Sequence, residues 1–376
     1  MGFTVAPVSG KKDLDAFLHL PYRIYADDPH YVYPLLAQLK EFFDRRKNPF
    51  FKHAETGLWL ARRDGEVIGR IGACVDRYHN EYWREQIGFY GFYECIDDAV
   101  VSHALLDTAR DWLRERGMTV MRGPLNFTTN HDNPGLLIDG EPSPPVTGMS
   151  YNPTYYQDQF ESYAGLAKCK DLWAWRVDAE DIKLSKRVAD GVRQVLAGKT
   201  DLTVRPIDKK DFRNEVELIR SLYNDCWNEN WGFIPMDPEE FYFSAKEMKT
   251  MVNENLLLIA EWRGEPIGFS MTIPDFNLAL KRVRGKLFPF GILKFLLDRK
   301  KITYARTLLL GVLPEHRRKG VDVMMVLRSY KAAVKGGITA GECSWILEDN
   351  TPMNNILEKL GARVYKTYRI YDLPLS

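Results

Sequence analysis

Between Leu308 and Val321 an apolar strand runs into a turn built to hold a phosphate. The order is Leu308, Leu309, Leu310, Gly311, Val312, Leu313, Pro314, Glu315, His316, Arg317, Arg318, Lys319, Gly320, Val321. His316 to Lys319 are consecutive side chains able to carry positive charge, and a helix is predicted at once over 321–335. A strand that ends in such a glycine-containing turn aims backbone N–H groups and the positive end of a helix at one point. The chemistry this serves is binding of a phosphate or pyrophosphate.

Other chemically able residues are more ambiguous. Glu342, Glu348 and Asp349 lie near the strand after this helix, and Glu348 could take a proton directly or through water, or simply cap the next helix. His19, His30, His53, His79, His103, His131 and His316 show no metal-ligand spacing. Cys74, Cys95, Cys169, Cys226 and Cys343 form no close pair, which excludes a CxxC site and fits a reducing compartment. Gly148-Met149-Ser150-Tyr151-Asn152 starts like a nucleophile elbow but lacks its second glycine.

The elements that must position these residues repeat. Leu58–Gly69 resembles Leu257–Gly268 at an offset of 199, and the same offset relates Thr4–Val8 to Thr203–Ile207 and Asp76 to Asp275. Nearer the ends an offset of 196 pairs Gly165 with Gly361 and Lys170 with Lys366. Two copies of one fold are expected. Each reads as a short strand (3–8; 202–207), a helical region and a hairpin turning at Asp64-Gly65 or Arg263-Gly264. A strand follows (87–95; 304–312), then a helix (98–117; 321–335), and each copy is expected to close on an aromatic strand (172–177; 365–373). Leu184, Val188, Val192 and Leu196 recur every four residues and suggest a linker helix. The division is therefore 1–178, a linker over 179–200, and 201–376.

The 376 residues suffice for two domains, and 52 basic against 51 acidic side chains leave a net charge of +1. No global field favours nucleic acid. No apolar run reaches the roughly 20 residues of a spanning helix, and the first 12 residues lack an apolar signal region. Location in the cytoplasm is expected.

The order of elements and the turn Arg317-Arg318-Lys319-Gly320-Val321-Asp322 resemble the GNAT acyltransferase superfamily, whose acyl-CoA loop reads Arg/Gln-x-x-Gly-x-Gly/Ala. Glu348-Asp349-Asn350 and the following Met353–Ala362 are similar to its helix beside the CoA arm. The likeness is strong over 201–376 and weaker over 1–178. It implies an α/β fold of two tandem GNAT-like domains, each a mixed, mostly antiparallel sheet flanked by helices. It implies acyl-CoA as co-substrate, no metal, and transfer of an acyl group to an amine. Leu310, Val312, Arg317, Arg318, Lys319, Gly320, Val321, Asn350, Asn354 and Asn355 would hold the donor. Leu357 stands where many members carry the tyrosine that protonates the leaving thiolate, so either Tyr365 or Tyr368 does that job or the thiolate leaves unaided, with Glu348 the candidate base. Asp322 replaces the small residue that ends the motif.

The amino-terminal copy carries Glu94-Cys95-Ile96-Asp97-Asp98-Ala99 in place of the basic turn and should not bind a pyrophosphate this way. Its polar loop, Arg122 to Gly135, either satisfies its own backbone or turns Asn126, Asn130, His131 and Asp132 towards an acyl carbonyl. A second difference is the segment 281–301, with eight basic residues and one acidic residue around Leu287, Phe288, Phe290, Ile292, Leu293, Phe295, Leu296 and Leu297. That composition fits a peripheral contact with the inner membrane face or a lid over a lipid tail, or an ordinary helical hairpin. With it, the whole chain resembles tandem GNAT proteins related to bacterial ceramide synthases, which implies a lipid amine as acceptor or a long acyl chain. The competing functions are a non-catalytic acyl-CoA or lipid-binding protein and a Fem-type ligase using aminoacyl-tRNA; retention of the loop and the charge of +1 oppose the latter.

Overall fold

The computed structural model describes residues 2–182, 190, 194–195, 200–249, 252–288 and 290–375. The four repeating residues of the expected linker helix, Leu184, Val188, Val192 and Leu196, lie outside them. Among the described residues thirteen strands follow in chain order: β1 Thr4–Pro7, β2 Ala54–Arg63, β3 Glu66–Asp76, β4 Ile87–Cys95, β5 Val120–Gly123, β6 Leu136–Gly140, β7 Ala167–Asp178, β8 Leu202–Pro206, β9 Leu257–Trp262, β10 Glu265–Pro274, β11 Tyr304–Val312, β12 Ala340–Leu347 and β13 Arg363–Pro374.

By packing, the chain forms two compact units. One comprises 1–173, 277–297 and 366–376, and the other 174–276 and 298–365. The first unit orders its strands β1-β2-β3-β4-β5, antiparallel but for the parallel β4–β5 pair. The second repeats this as β8-β9-β10-β11-β12, with β11–β12 the parallel pair. Each unit is thus a mixed, mostly antiparallel sheet with helices on it.

The duplication extends to an irregularity. Ala61 pairs with Gly69 and Arg62 with Val67, skipping one residue, and Ala260 pairs with Gly268 and Glu261 with Pro266 in the same way. All four positions differ by 199, so the two copies carry one bulge at one place. The hairpins are closed by Asp64-Gly65 and Arg263-Gly264, all at positive φ, as a type I′ turn demands.

Segment exchange departs from the expected domain ends. The carboxy-terminal strand completes the first unit, where Tyr371–Pro374 of β13 pair antiparallel with Val120–Gly123 of β5. Residues 174–178 of β7 belong to the second unit. Both terminal strands are aromatic and apolar, and a strand pattern says which face is buried but not which sheet edge receives it.

In the first unit the helix Ala99–Arg114 buries Val101, Leu105, Leu106, Ala109 and Leu113 against Ile71, Ala73, Tyr90 and Met121. In the second unit the helix Val321–Lys335 covers one sheet face through Val321, Met324, Met325 and Leu327. The helix Phe212–Trp227 covers the other through Ile219 and Leu222, packed with Ile259 and Phe269. Full burial of one such side chain stabilises by about 1.5–3 kcal/mol, so both faces hold β11 in place.

Candidate active site

In the second unit β11 and β12 run parallel from Tyr304↔Ala340 to Thr307↔Cys343, and among the described residues their pairing ends there. The opposite edge of β11 stays bonded to β10 through Val312, with a bulge where Leu309 faces Met271 and Thr307 faces Thr272. Leu308 to Val312 therefore present one edge of backbone groups to a gap. An unpaired strand edge of this kind can take an extended, amide-bearing chain as an added strand through main-chain hydrogen bonds.

At the top of the gap lies the basic turn. A short helical turn, Pro314–His316, leads to Arg317, and Arg318 and Gly320 both take positive φ, 62° and 79°. The next helix starts at Val321 with no side chain capping it. Among the described residues the N–H groups of Arg318, Lys319, Gly320 and Val321 donate to no carbonyl or side chain. A Cβ on Gly320 would meet nothing within 4 Å, so the space before these N–H groups is open. Open, convergent N–H groups at a helix start fit a pyrophosphate.

The side chains divide the labour differently from the expectation. Arg317, exposed like its neighbours, folds its guanidinium back onto the loop: its Nε donates to the Val312 carbonyl at 3.1 Å and its terminal nitrogen to the Cys226 carbonyl at 2.9 Å. It shapes the loop, while exposed Arg318 and Lys319 supply the outward charge. Asp322 accepts the N–H of Val323 at 2.9 Å. Leu310 is half-buried opposite Ser270, and Val312 and Val321 are buried in the core below the turn.

The asparagines expected at the donor are largely engaged. Asn350 caps the helix Thr351–Lys359 by accepting the N–H of Met353 at 3.3 Å. Buried Asn354 donates to the Leu347 and Glu348 carbonyls at 3.1 and 3.2 Å and accepts from the Trp175 indole at 3.1 Å. These two fix the end of β12 beside the gap, and Asn355 is exposed on the same helix. Glu348 is half-buried directly after β12.

Where the two strands part, a buried polar cluster joins Glu342 and Tyr365, both named from the sequence, to Ser344 and Arg306, which were not. The Tyr365 hydroxyl and the Ser344 hydroxyl both donate to the Glu342 carboxylate. Arg306 reaches Ser344 with Nε to Oγ at 3.0 Å and a terminal nitrogen to the carbonyl at 3.1 Å. Glu342 is 1% exposed. Burial and the charge of Glu342 push the neighbouring Tyr304 hydroxyl well above its ordinary range. The available signal was the register pair of opposite charges, Arg306 against Glu342, inside two apolar strands.

Tyr368, three residues beyond Tyr365 on β13, falls in the first unit, fully buried with its Cβ against Gly135. The two tyrosines expected as alternatives thus belong to different units. Asn130 and His131 also lie in the first unit, in the loop after β5. The Asn130 N–H donates to the Thr128 hydroxyl at 3.3 Å, and that hydroxyl lies 3.0 Å from Nδ1 of His131. The His131 ring packs edge-on against Phe50 and Phe42, at 4.7 and 5.3 Å. Desolvation there, with Asp76 opposing and His53 adding to it, pushes its pKa down to about 4. That makes it a weak base at neutral pH.

The equivalent positions of the first unit are filled from within. β4 and β5 pair only from Ile87↔Val120 to Phe89↔Arg122. In the gap beyond, Leu125 donates its N–H to the Tyr90 carbonyl at 2.7 Å, and the Asn126 side chain accepts the N–H of Phe92 at 2.6 Å. A Cβ on Gly91 would overlap the Leu125 carbonyl oxygen, so the plug lies directly on the strand. Residues 97–98 stand where the second unit has 314–320, since Ile96 and Leu313 donate to the equivalent Ile68 and Ile267 carbonyls. There Asp98 accepts the N–H groups of Val100 and Val101 at 3.1 and 3.4 Å, paired with Arg63 at 2.7 Å. A carboxylate of the chain itself occupies the anion position. Among the described residues no group of His, Cys, Asp or Glu is placed to hold a metal ion.

Two units of this topology, one with an open strand edge and a basic turn of unpartnered N–H groups, define a tandem-domain protein of the GNAT N-acyltransferase class. A tandem GNAT protein from the clavulanic acid biosynthesis pathway superposes over 100% of this chain and 99% of its own, with a TM-score of 0.58 at 14% identity. A GCN5-related N-acetyltransferase from Sphaerobacter thermophilus does so over 99% and 96%, with a TM-score of 0.54 at 12% identity. No protein-family profile matches the chain. Protein YghO of Escherichia coli (strain K12) is 35% identical over 372 residues, 96% of this chain and 93% of that protein. Bacterial ceramide synthase of Caulobacter vibrioides (strain NA1000 / CB15N) is 34% identical over 382 residues, 99% of this chain and 97% of that protein. The chain belongs to the family of these two proteins.

Proposed function

We propose that the protein transfers a fatty acyl group from acyl-CoA to the amine of a long-chain amino alcohol. The observation that carries the donor assignment is the open row of N–H groups from Arg318 to Val321 at the end of a one-sided strand. In this reading those groups hold the pyrophosphate, with Arg318 and Lys319 adding charge. The free edge of Leu308 to Val312 bonds the amides of the pantetheine arm, and its last N–H groups polarise the thioester carbonyl. The thioester supplies an activated acyl group and a good leaving thiolate.

The chain must supply a site for the proton of the incoming ammonium. Glu348, half-buried at the end of β12, is the candidate base. Tyr365 is committed to Glu342, which gives it a positioning role at the base of the gap rather than that of a free acid. The lipid acceptor is supported by the printed name of one 34% identical relative, Bacterial ceramide synthase.

The test is an incubation of the pure protein with palmitoyl-CoA and sphinganine, read by mass spectrometry of the N-acyl product and by free thiol release. Product formation abolished by Gly320→Trp is expected. Transfer to glucosamine or spermidine but not to sphinganine would refute the acceptor, and no transfer to any amine would refute the activity.

A further inference from the structure

The segment 277–297 packs in the first unit and raises an apolar surface away from it. Its base is pinned. The Tyr22 hydroxyl donates to the Arg284 carbonyl at 3.2 Å, the Leu36 N–H to the Gly285 carbonyl at 3.3 Å, and the Asn277 side chain to the Pro145 carbonyl at 2.9 Å. Gly285 has positive φ and no room for a Cβ, which would meet the Pro34 carbonyl at 2.8 Å and overlap the Tyr22 hydroxyl. The Arg284 guanidinium lies over the Tyr33 ring at 5.4 Å.

From this base the tip carries Phe288, 88% exposed, and Phe290, 69% exposed. The helix Gly291–Arg299 adds Leu293 and Leu297 at 59% and 66%, with Ile292 and Leu296 beside them. At about 100° per residue these four aliphatic side chains span about 140° of the helix. Asp298 is buried on the opposite side. Lys294 and Arg299 border the apolar arc, one on each flank, and exposed Lys286, Lys300 and Lys301 extend the positive rim. Lys301 alone of these is paired with a carboxylate among the described residues, Asp298 at 3.1 Å.

Scattered exposed leucines need no explanation, but six large apolar side chains side by side do. An ordinary helical hairpin would turn them inward, and here the inward position belongs to Asp298. A tail-covering lid would point them at the protein, whereas Phe288 and Leu297 face solvent. A ring of cations around an apolar tip is complementary to one environment, the anionic headgroup layer above acyl chains. We infer that Phe288, Phe290, Leu293 and Leu297, rimmed by Lys286 and Lys294, dock the protein onto the surface of an anionic lipid bilayer. No helix among the described residues is long and apolar enough to cross a membrane, so the contact is peripheral. The inference stands on exposure and charge and does not depend on the acyl-transfer reading.

The experiment is co-sedimentation of the full chain with vesicles of mixed phosphatidylglycerol and phosphatidylcholine, and with phosphatidylcholine alone. The wild-type protein is expected to pellet with the anionic vesicles, and less so as salt rises. Phe288→Asp/Leu293→Asp is expected to lower partitioning at least about tenfold, with acetyl-CoA binding in vesicle-free buffer retained. Lys286→Glu/Lys294→Glu is expected to remove the preference for anionic vesicles. Phe288→Ser/Leu293→Ser repeats the test should the aspartates impair folding. No vesicle binding by the wild-type chain would overturn the inference, as would binding that neither apolar pair alters. So would a wild-type dimer that the apolar variants render monomeric, since a second copy would then cover the patch.

Discussion

The Asn126 side chain accepts the backbone N–H of Phe92 at 2.6 Å, inside the gap where β4 and β5 separate. The same gap between β11 and β12 has no such occupant among the described residues. A duplicated fold has thus been divided by local chemistry: one copy satisfies its splayed strand with its own loop, and the other leaves that edge open among the described residues.

Asn126→Ala should strand the half-buried Phe92 N–H and lower stability by about 1 kcal/mol. Urea denaturation measures this. Because the plug is structural, affinity for acetyl-CoA at the second unit should stay within about twofold. An unchanged unfolding midpoint would mean that water replaces the side chain without cost.

Arg317→Ala should weaken acyl-CoA binding about tenfold, although the side chain faces away from the open N–H groups. Two hydrogen bonds from a charged group to the Val312 and Cys226 carbonyls hold the turn, each worth about 1.5–3 kcal/mol. That loss should vary little with salt. Arg318→Ala/Lys319→Ala should lose affinity in a manner that rising salt erases, since those exposed charges, unlike that of Arg317, bond to no carbonyl among the described residues. Calorimetric titration at low and high salt separates the two, and identical salt dependence would contradict the inward role of Arg317.

His131 predicts a pH effect on stability. Its pKa in the folded chain is about 4, below the usual unfolded value of about 6.5. Between these values the unfolded chain binds more protons, so stability rises with pH. The contribution is complete above about pH 6.5 and is lost as pH falls towards 4, by up to about 3 kcal/mol. His131→Gln should flatten the curve of unfolding free energy against pH across that window. A slope identical to that of the wild type would show that other groups, such as buried His79, carry it.

Replacement of Glu342 should depend on shape more than on charge. Glu342→Gln keeps an oxygen for the Tyr365 and Ser344 hydroxyls and should cost about 1 kcal/mol or less. Glu342→Ala leaves those donors and the nearby Arg306 buried without it and should cost about 3–5 kcal/mol. Thermal unfolding of the two variants side by side is the check, and equal destabilisation would mean that the charge itself is needed.

Much of this was legible in the chain. β4, β11 and the helix Val321–Lys335 fall where the apolar runs and the basic turn place them, and Asp64-Gly65 and Arg263-Gly264 turn as their residue types require. Those features are local. The segment exchange was not legible, because β7 and β13 offer the same aromatic alternation and pairing between distant strands leaves no mark in either one. Nor was the inward turn of Arg317: three adjacent cations look alike in sequence, and only the nearness of the Cys226 carbonyl, 91 residues away, selects one of them. Asn126 and Glu342 were visible as polar residues in apolar surroundings, but Phe92 and Tyr365, which bond to them, lie on other strands.

The central claim is that one copy binds the donor and the other is closed to it. Calorimetric titration of the intact chain with acetyl-CoA tests this most directly. One molecule bound per chain is expected, with none bound by Gly320→Trp, whose side chain would fill the open space before the Arg318–Val321 N–H groups. Two molecules per chain, or full binding by the tryptophan variant, would contradict it.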